Sequence, residues 1–210
     1  EQLKLQIDDL SARQQGELPF PALSKMDHQF QHPARGLQAV PQDLAQFANA
    51  MQAGIAQQEL FYSLKDIRLF IAGLAMSKLH LLQGMSGTGK TSLARAFAKA
   101  INNVTTGDQE KLYCSMVRVQ AGWRDREDLL GHFNAFEKKF YEREALQAIY
   151  RAQQPQFTDT VQIILLDEMN LSQPEQYFAE FLSLMETPDL SEIALLESPN
   201  EKSPRYFSDQ

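Results

Sequence analysis

The chain has 210 residues, of which 20 are Lys or Arg and 27 are Asp or Glu, for a formal charge of −7; 43% of residues are hydrophobic and 22% charged. That is ordinary globular composition. It excludes a disordered chain, which combines low hydrophobicity with high net charge, and the length suits one medium domain or one domain with an appendage. A pI near 5.1 argues against binding nucleic acid through the overall field of the protein. Cys114 is the only cysteine, so neither an intrachain disulfide nor a cysteine metal cluster can form. The longest apolar stretch, residues 69–76, is far short of a membrane span. No basic segment followed by an apolar one opens the chain, so the cytoplasm is the expected compartment and no membrane partner is expected. The chain starts at Glu1 rather than Met and reads as a piece of something longer, or a processed chain.

Leu3, Ile7 and Leu10 step by four and then three. That spacing predicts either a short amphipathic helix docking on the body or the end of a coiled coil. Residues 16–42 contain Gly16, Pro19, Pro21, Pro33, Gly36 and Pro41 and read as a linker or extended arm. Residues 1–42 are thus expected to form an N-terminal helix and proline-containing arm, residues 43–187 the core, and residues 188–210 a poorly patterned tail. Within the core, Leu44, Phe47, Met51 and Ile55 recur at helical spacing. Ser63 with Asp66 three residues on resembles a capping box for a second helix, which turns Ile67, Phe70, Ile71 and Leu74 inward. The apolar run 79–82 predicts a strand, residues 90–101 a helix and residues 116–119 a second strand. Phe133, Phe136 and Phe140 alternate among charges, which predicts a small hairpin over 133–141. Residues 145–152 read as helix, and 161–166 as the strongest strand. Ser172-Gln173-Pro174-Glu175 then predicts a helix start: Ser172 caps, Pro174 fits the first turn and Glu175 closes the box. That helix would bury Phe178, Phe181, Leu182 and Met185 and stop at Pro188. Alternating strands and helices predict an α/β fold whose mostly parallel sheet is covered on both faces.

The sharpest chemical signal is Gly84-Met85-Ser86-Gly87-Thr88-Gly89-Lys90-Thr91, which fits G-x-x-x-x-G-K-[ST]. Glycines let the backbone curl and turn N–H groups toward phosphate oxygens. The helix that follows aims its positive end at the same oxygens. Lys90 supplies an ammonium to the β- and γ-phosphates, and Thr91 offers a hydroxyl to Mg²⁺. Ser92 beside it completes the nucleotide-binding set. The second signal is Ile163-Ile164-Leu165-Leu166-Asp167-Glu168, a strand apolar on both faces that ends in two carboxylates. Such a strand belongs in the centre of a parallel sheet, and its carboxyl end is where open α/β sheets bind ligands. Asp167 can hold the Mg²⁺ water shell across from Thr91. Glu168 can polarise a water for attack on the γ-phosphate. Asp-Glu rather than a lone Asp favours a hydrolase over a small-molecule kinase.

These motifs resemble AAA+ ATPases. Leu166-Asp167-Glu168-Met169-Asn170-Leu171, the stretch from Tyr177 to Glu186, Gly122-Trp123 and Asp128-Leu129-Leu130-Gly131 look like the McrB-related branch, near MoxR and dynein-type modules. McrB is the GTP-driven motor of a modification-dependent restriction system. The resemblance covers roughly residues 60–187. It implies nucleoside-triphosphate hydrolysis, with ATP the favoured fuel and GTP the alternative, by a homo-oligomeric ring such as a hexamer. It also implies a protein partner or DNA-processing complex as the object of the motor. Residues 133–141 sit where this branch carries an insertion hairpin, which faces a pore or partner or is merely packed. Phe61, Tyr62 and Leu64 stand where relatives contact the base, or else are core. Gln120 ends the second strand, where some relatives hold a polar residue that restrains the catalytic Glu.

The sequence also departs from that family. An AAA+ core needs a fourth strand with a polar sensor, a fifth strand near an arginine finger, and a helical lid, and residues 188–210 offer no pattern for them. The P-loop fold is therefore expected to be incomplete on its C-terminal side, and the chain alone is expected to be a poor enzyme. Arg205 reads as solvated. His28, His32, His80 and His132 have no metal-ligand spacing, and Cys114 reads as core. Trp123 with Arg124, Asp125 and Arg126 is either a partner contact or a packed indole beside a solvated charge run. Two other readings are a P-loop protein outside AAA+, such as a transporter ATPase subunit, whose Leu-Ser-Gly-Gly-type signature is absent here, or a small-molecule kinase, and a non-hydrolysing nucleotide-binding scaffold.

Overall fold

A parallel pair of strands, β1 (Cys114–Arg118) and β4 (Ile163–Asp167), forms the centre of the protein. The structure is a computed structural model and describes residues 18–32, 43–77, 79–85, 87–104, 107–186, 193–196 and 204–207. The heptad-like segment, Ser86 and Pro188 lie outside these residues. Cys114 pairs with Ile163 and Arg118 with Asp167, and the ladder runs one step further through Val119 N–H to the Asp167 carbonyl at 3.0 Å. Side chains alternate across β4, so Ile163 and Leu165 face one apolar cluster and Leu166 the other.

The cluster beneath Ile163 and Leu165 is built by α2 (Leu44–Ala56), α3 (Leu64–Met76) and α4 (Lys90–Ile101). Met51, Ile55, Ile67, Phe70, Leu93 and Phe97 fill it, as their helical spacing predicts. Ser63 caps α3: its Oγ accepts from Asp66 N–H at 3.1 Å and donates to the Asp66 carboxylate at 2.6 Å. The shorter carboxylate thus meets the hydroxyl, where a longer Glu reaches back to the cap's own N–H. His80, half-buried, packs edge-on to Phe70 and against Gly73.

The opposite cluster holds Val117, Val119, Trp123, Leu129, Leu130, Phe140, Leu146, Tyr150, Phe157 and Tyr177. It is built from α6 (Arg126–Leu130), the hairpin β2 (Gly131–Asn134) and β3 (Lys139–Glu142), α7 (Glu144–Ala152), α8 (Pro174–Tyr177) and α9 (Ala179–Glu186); α5 (Gly107–Tyr113) leads into β1. The predicted hairpin is present, with Gly131 opposite Glu142 and Asn134 opposite Lys139. Asn134 Oδ1 accepts from the N–H groups of Phe136 and Glu137 and shapes the turn, whose Phe136 is fully exposed. Gly131 sits at φ 110°, and a β-carbon there would lie 1.9 Å from the Tyr141 carbonyl oxygen. No L side chain fits such a site without moving backbone. Gly131→Ala is therefore expected to lower stability by about 2–3 kcal/mol. Chemical denaturation reads this, and a midpoint within error of wild type would refute it.

Several expectations need correction. Residues 79–82 do not form a strand. A parallel strand needs a partner for its N–H and C=O groups, and among the described residues β1 takes one edge of β4 while no strand takes the other. The run instead lays Leu79 on one cluster and Leu82 on the other. For the same reason β4 is not central in a broad sheet, and Ile164 keeps 37% of its surface exposed. The second strand also begins earlier than its pattern suggested, at Cys114.

The proline-containing arm is not extended over residues 21–29: Pro21–Gln29 is a helix, α1. Pro21 occupies the first turn, where its missing N–H costs nothing. Glu142 on β3 caps that end, with Oε1 accepting from Ala22 N–H at 3.0 Å and Leu23 N–H at 3.1 Å. Pro19 takes a hydrogen bond from Phe140 N–H at 2.7 Å, and Phe20 stacks on Phe140. Asp27 accepts from Tyr150 Oη at 2.6 Å, Gln154 Nε2 at 3.1 Å and Arg205 N–H at 3.2 Å. Arg205 is exposed, but Tyr206 and Phe207 beside it pack on this cluster.

Glu142→Ala should cost about 1–2 kcal/mol by removing the cap, and Glu142→Gln, which keeps an acceptor oxygen, less. Burial raises the Glu142 carboxyl pKa, partly offset by the Leu23 and Ala22 N–H groups. A carboxyl pKa raised by folding means stability that is fullest below the unfolded pKa and declines as pH rises through the folded one. The deficit of Glu142→Gln should accordingly narrow as pH rises, and a deficit that widens would refute the assignment.

The helix start after β4 is also displaced. Gln173 rather than Ser172 occupies the cap position and makes no side-chain cap bond, while Pro174 takes the first turn as expected. Ser172 bonds to the loop after β1 instead. The helix breaks at Phe178, so α8 and α9 are separate.

Candidate functional site

Thr91 and Asp167, 76 residues apart in sequence, meet at the carboxyl end of the sheet. Thr91 Oγ1 donates to Asp167 Oδ1 at 3.2 Å. Two local rules bring them together. Asp167 continues the alternation of Ile163 and Leu165, which turns it toward α4. Thr91 lies in the first turn of α4, whose Leu93, Ala94 and Phe97 are buried in the same cluster.

The glycine-rich loop ends at Gly89, which caps α4 in the left-handed region at φ 83°. A β-carbon there would come within 2.8 Å of Tyr62 Oη. Tyr62 Oη donates to the Gly89 carbonyl at 2.8 Å, the same carbonyl that accepts from Leu93 N–H. Gln52 Nε2 in turn holds the Tyr62 carbonyl at 2.9 Å. Burial raises the Tyr62 pKa, so its hydroxyl stays a donor. Lys90 Nζ donates to the carbonyls of Gly84 at 2.8 Å and Met85 at 2.6 Å, and Thr88 Oγ1 also bonds Met85 O at 2.9 Å. The ammonium thus lies inside the curl of the loop, on oxygens that an anionic ligand can replace. Ser92 is half-buried on the same helical turn.

Glu168 follows Asp167 in a left-handed conformation, φ 54° and ψ 44°, and is exposed. Few non-glycine residues adopt this conformation, and it turns the side chain out of the strand's alternation. A short 3-10 turn, Met169–Leu171, comes next. Gln120 is exposed; its carbonyl, not its side chain, accepts a hydrogen bond here, from Ser172 Oγ at 2.8 Å. Trp123 is buried and edge-on to Tyr177, with ring centroids 5.3 Å apart. In the charge run beside it, Asp125 caps α6 and Arg126 bonds both Glu180 oxygens at 3.0 Å. Cys114 is buried, and burial pushes its thiol up to about 11, as suits a core cysteine.

Tyr62, Ser172 and Tyr177 were not singled out for these contacts by sequence reasoning. Tyr62 stands 27 residues from the glycine it binds, and nothing in its local pattern marks that contact. Ser172 looks like a helix cap from its neighbours alone. No His, Cys, Asp and Glu group among the described residues could hold a metal by itself, and no helix among them is long and apolar enough to cross a membrane.

A family model described as "AAA domain (dynein-related subfamily)" matches residues 80–207. No curated protein and no solved structure matches the chain. The matched region spans both the glycine-rich loop and the Asp167–Glu168 strand end, and it covers more than half of the sequence. This chain belongs to the dynein-related AAA domain family, whose members bind and hydrolyse nucleotides.

Proposed function

We propose that the chain is a nucleoside-triphosphatase module of the McrB-related branch, fuelled by ATP, with GTP the alternative. The observation that carries this reading is the bond between the Thr91 hydroxyl and the Asp167 carboxylate. A hydroxyl and a carboxylate side by side are hard oxygen donors of the kind Mg²⁺ takes. Thr91 and Asp167 would hold that ion, which supplies charge neutralisation at the phosphate oxygens when bound.

The residues then divide the work. The loop from Gly84 to Thr91, with Ser92, receives the phosphates. Lys90 exchanges its two carbonyl partners for phosphate oxygens, which keeps its charge solvated throughout. Tyr62 fixes the Gly89 carbonyl and so the start of α4, whose N-terminal N–H groups favour an anion. Glu168 accepts a proton from the attacking water, the water oxygen bonds to the γ-phosphorus as the phosphorus bond to the β–γ bridging oxygen breaks, and the nucleoside diphosphate leaves. The resemblance to ring-forming relatives supports a homo-oligomer whose neighbour supplies an arginine to the γ-phosphate, an effect of about 10³–10⁵ in rate. A protein partner or DNA-processing complex is the object of such a ring.

Hydrolysis of ATP and GTP, measured against protein concentration with and without Mg²⁺, tests this. Specific activity should rise with concentration and vanish on chelation, and Asp167→Asn should make nucleotide binding less dependent on Mg²⁺. Tight nucleotide binding without turnover at any concentration would instead favour a non-hydrolysing scaffold.

A further inference from the structure

The left-handed turn at Glu168 is held in place by residues outside the two nucleotide motifs. Asp167 is still in register with β1, and its carbonyl accepts from Val119 N–H at 3.0 Å. At the next residue the backbone flips to φ 54° and ψ 44°. A side chain with a β-carbon stays there only where its surroundings over-determine it. Three sets of contacts do so. Leu171 N–H donates to the Glu168 carbonyl at 2.9 Å and closes the turn. Tyr177, only 1% exposed, donates its hydroxyl to the Met169 carbonyl at 3.0 Å. Ser172 Oγ donates to the Gln120 carbonyl at 2.8 Å and accepts from Trp123 N–H at 3.0 Å. The loop after β4 is thereby fastened to the loop after β1. Trp123, 6% exposed and edge-on to Tyr177, fills the space between the two fastenings.

We infer that Ser172 and Tyr177 are positioning residues for Glu168: together they hold the backbone turn that presents its carboxylate. The inference rests on the reading of Glu168 as the water-activating base. Their hydrogen bonds go to Gln120, Trp123 and Met169 rather than to Thr91, Asp167 or the described residues of the phosphate loop, so their loss should spare nucleotide binding and act on turnover. The geometry also gives the Gly122-Trp123 segment a purpose in the site. It supplies the N–H that Ser172 binds and the ring against which Tyr177 is set.

The test uses the whole chain with Mg²⁺ and ATP. Tyr177→Phe keeps the ring against Trp123 and removes one hydroxyl, and Ser172→Ala removes both loop-to-loop bonds. In each, turnover should fall by about tenfold or more while the affinity for a fluorescent nucleotide stays within about twofold. Amide exchange at Leu171 should speed up in both, because its hydrogen bond closes the turn. Ser172→Thr, which keeps the hydroxyl, should restore wild-type behaviour. Unchanged Leu171 exchange in both variants overturns the inference, and this readout needs no turnover. Affinity and turnover falling in parallel also overturns it, since that is the signature of general loosening. Wild-type hydrolysis by Glu168→Gln would sink the base assignment alone and leave the exchange result to decide whether Ser172 and Tyr177 hold the turn.

Discussion

Glu168→Gln is expected to bind nucleotide as wild type does and to lose about 10²–10⁴ of its turnover, the range for a missing general base. The substitution preserves the side-chain shape and the left-handed backbone at φ 54°, which glutamine tolerates no worse than glutamate. It removes only the ability to take a proton. Glu168 is exposed where Asp167 is tied to Thr91, which suits the separate tasks proposed for the two neighbouring carboxylates. One is engaged by a hydroxyl at the end of the strand, and the other is exposed. The pairing of single-turnover rate with equilibrium binding separates them. A Gln variant that turned over at the wild-type rate would remove Glu168 from the chemistry.

Lys90→Ala is expected to weaken ATP or GTP binding by at least about tenfold, since a charge-assisted hydrogen bond contributes about 1.5–3 kcal/mol. The ammonium sits within the loop, held by the Gly84 and Met85 carbonyls at 2.8 and 2.6 Å. Its removal has two consequences. The phosphate loses its cation, and the two loop carbonyls lose the donor that faces them. The fold should survive, because α4 is anchored by Leu93, Ala94 and Phe97 in the cluster below the sheet rather than by Lys90. Titration with a fluorescent nucleotide, alongside a melting curve, reads both quantities. Unchanged affinity in a folded variant would contradict the phosphate-loop assignment.

Where a residue's partners lie within a few positions along the chain, its role was legible in the sequence. Lys90–Ile101 is a helix with the predicted bounds, because Gly89 and the apolar spacing that follows are local signals. Ser63 and Asp66 meet three residues apart. The alternation along β4 already aims Asp167 at the helix that carries Thr91. The dynein-related AAA family and its nucleotide chemistry follow from such signals. Tertiary structure decided the rest, where the partner is distant. Pro21–Gln29 is a helix whose first N–H groups are met by a Glu142 carboxylate oxygen about 120 residues on, whereas its prolines alone suggest an extended arm. Residues 79–82 have the composition of a strand, but a strand exists only where a neighbour completes its ladder. Ser172 satisfies every local rule for a helix cap, yet its hydroxyl finds the Gln120 carbonyl and the Trp123 N–H across the fold. Hydrogen-bonding capacity is written in each residue, but which donor meets which acceptor is settled only when the chain has closed around its two apolar clusters.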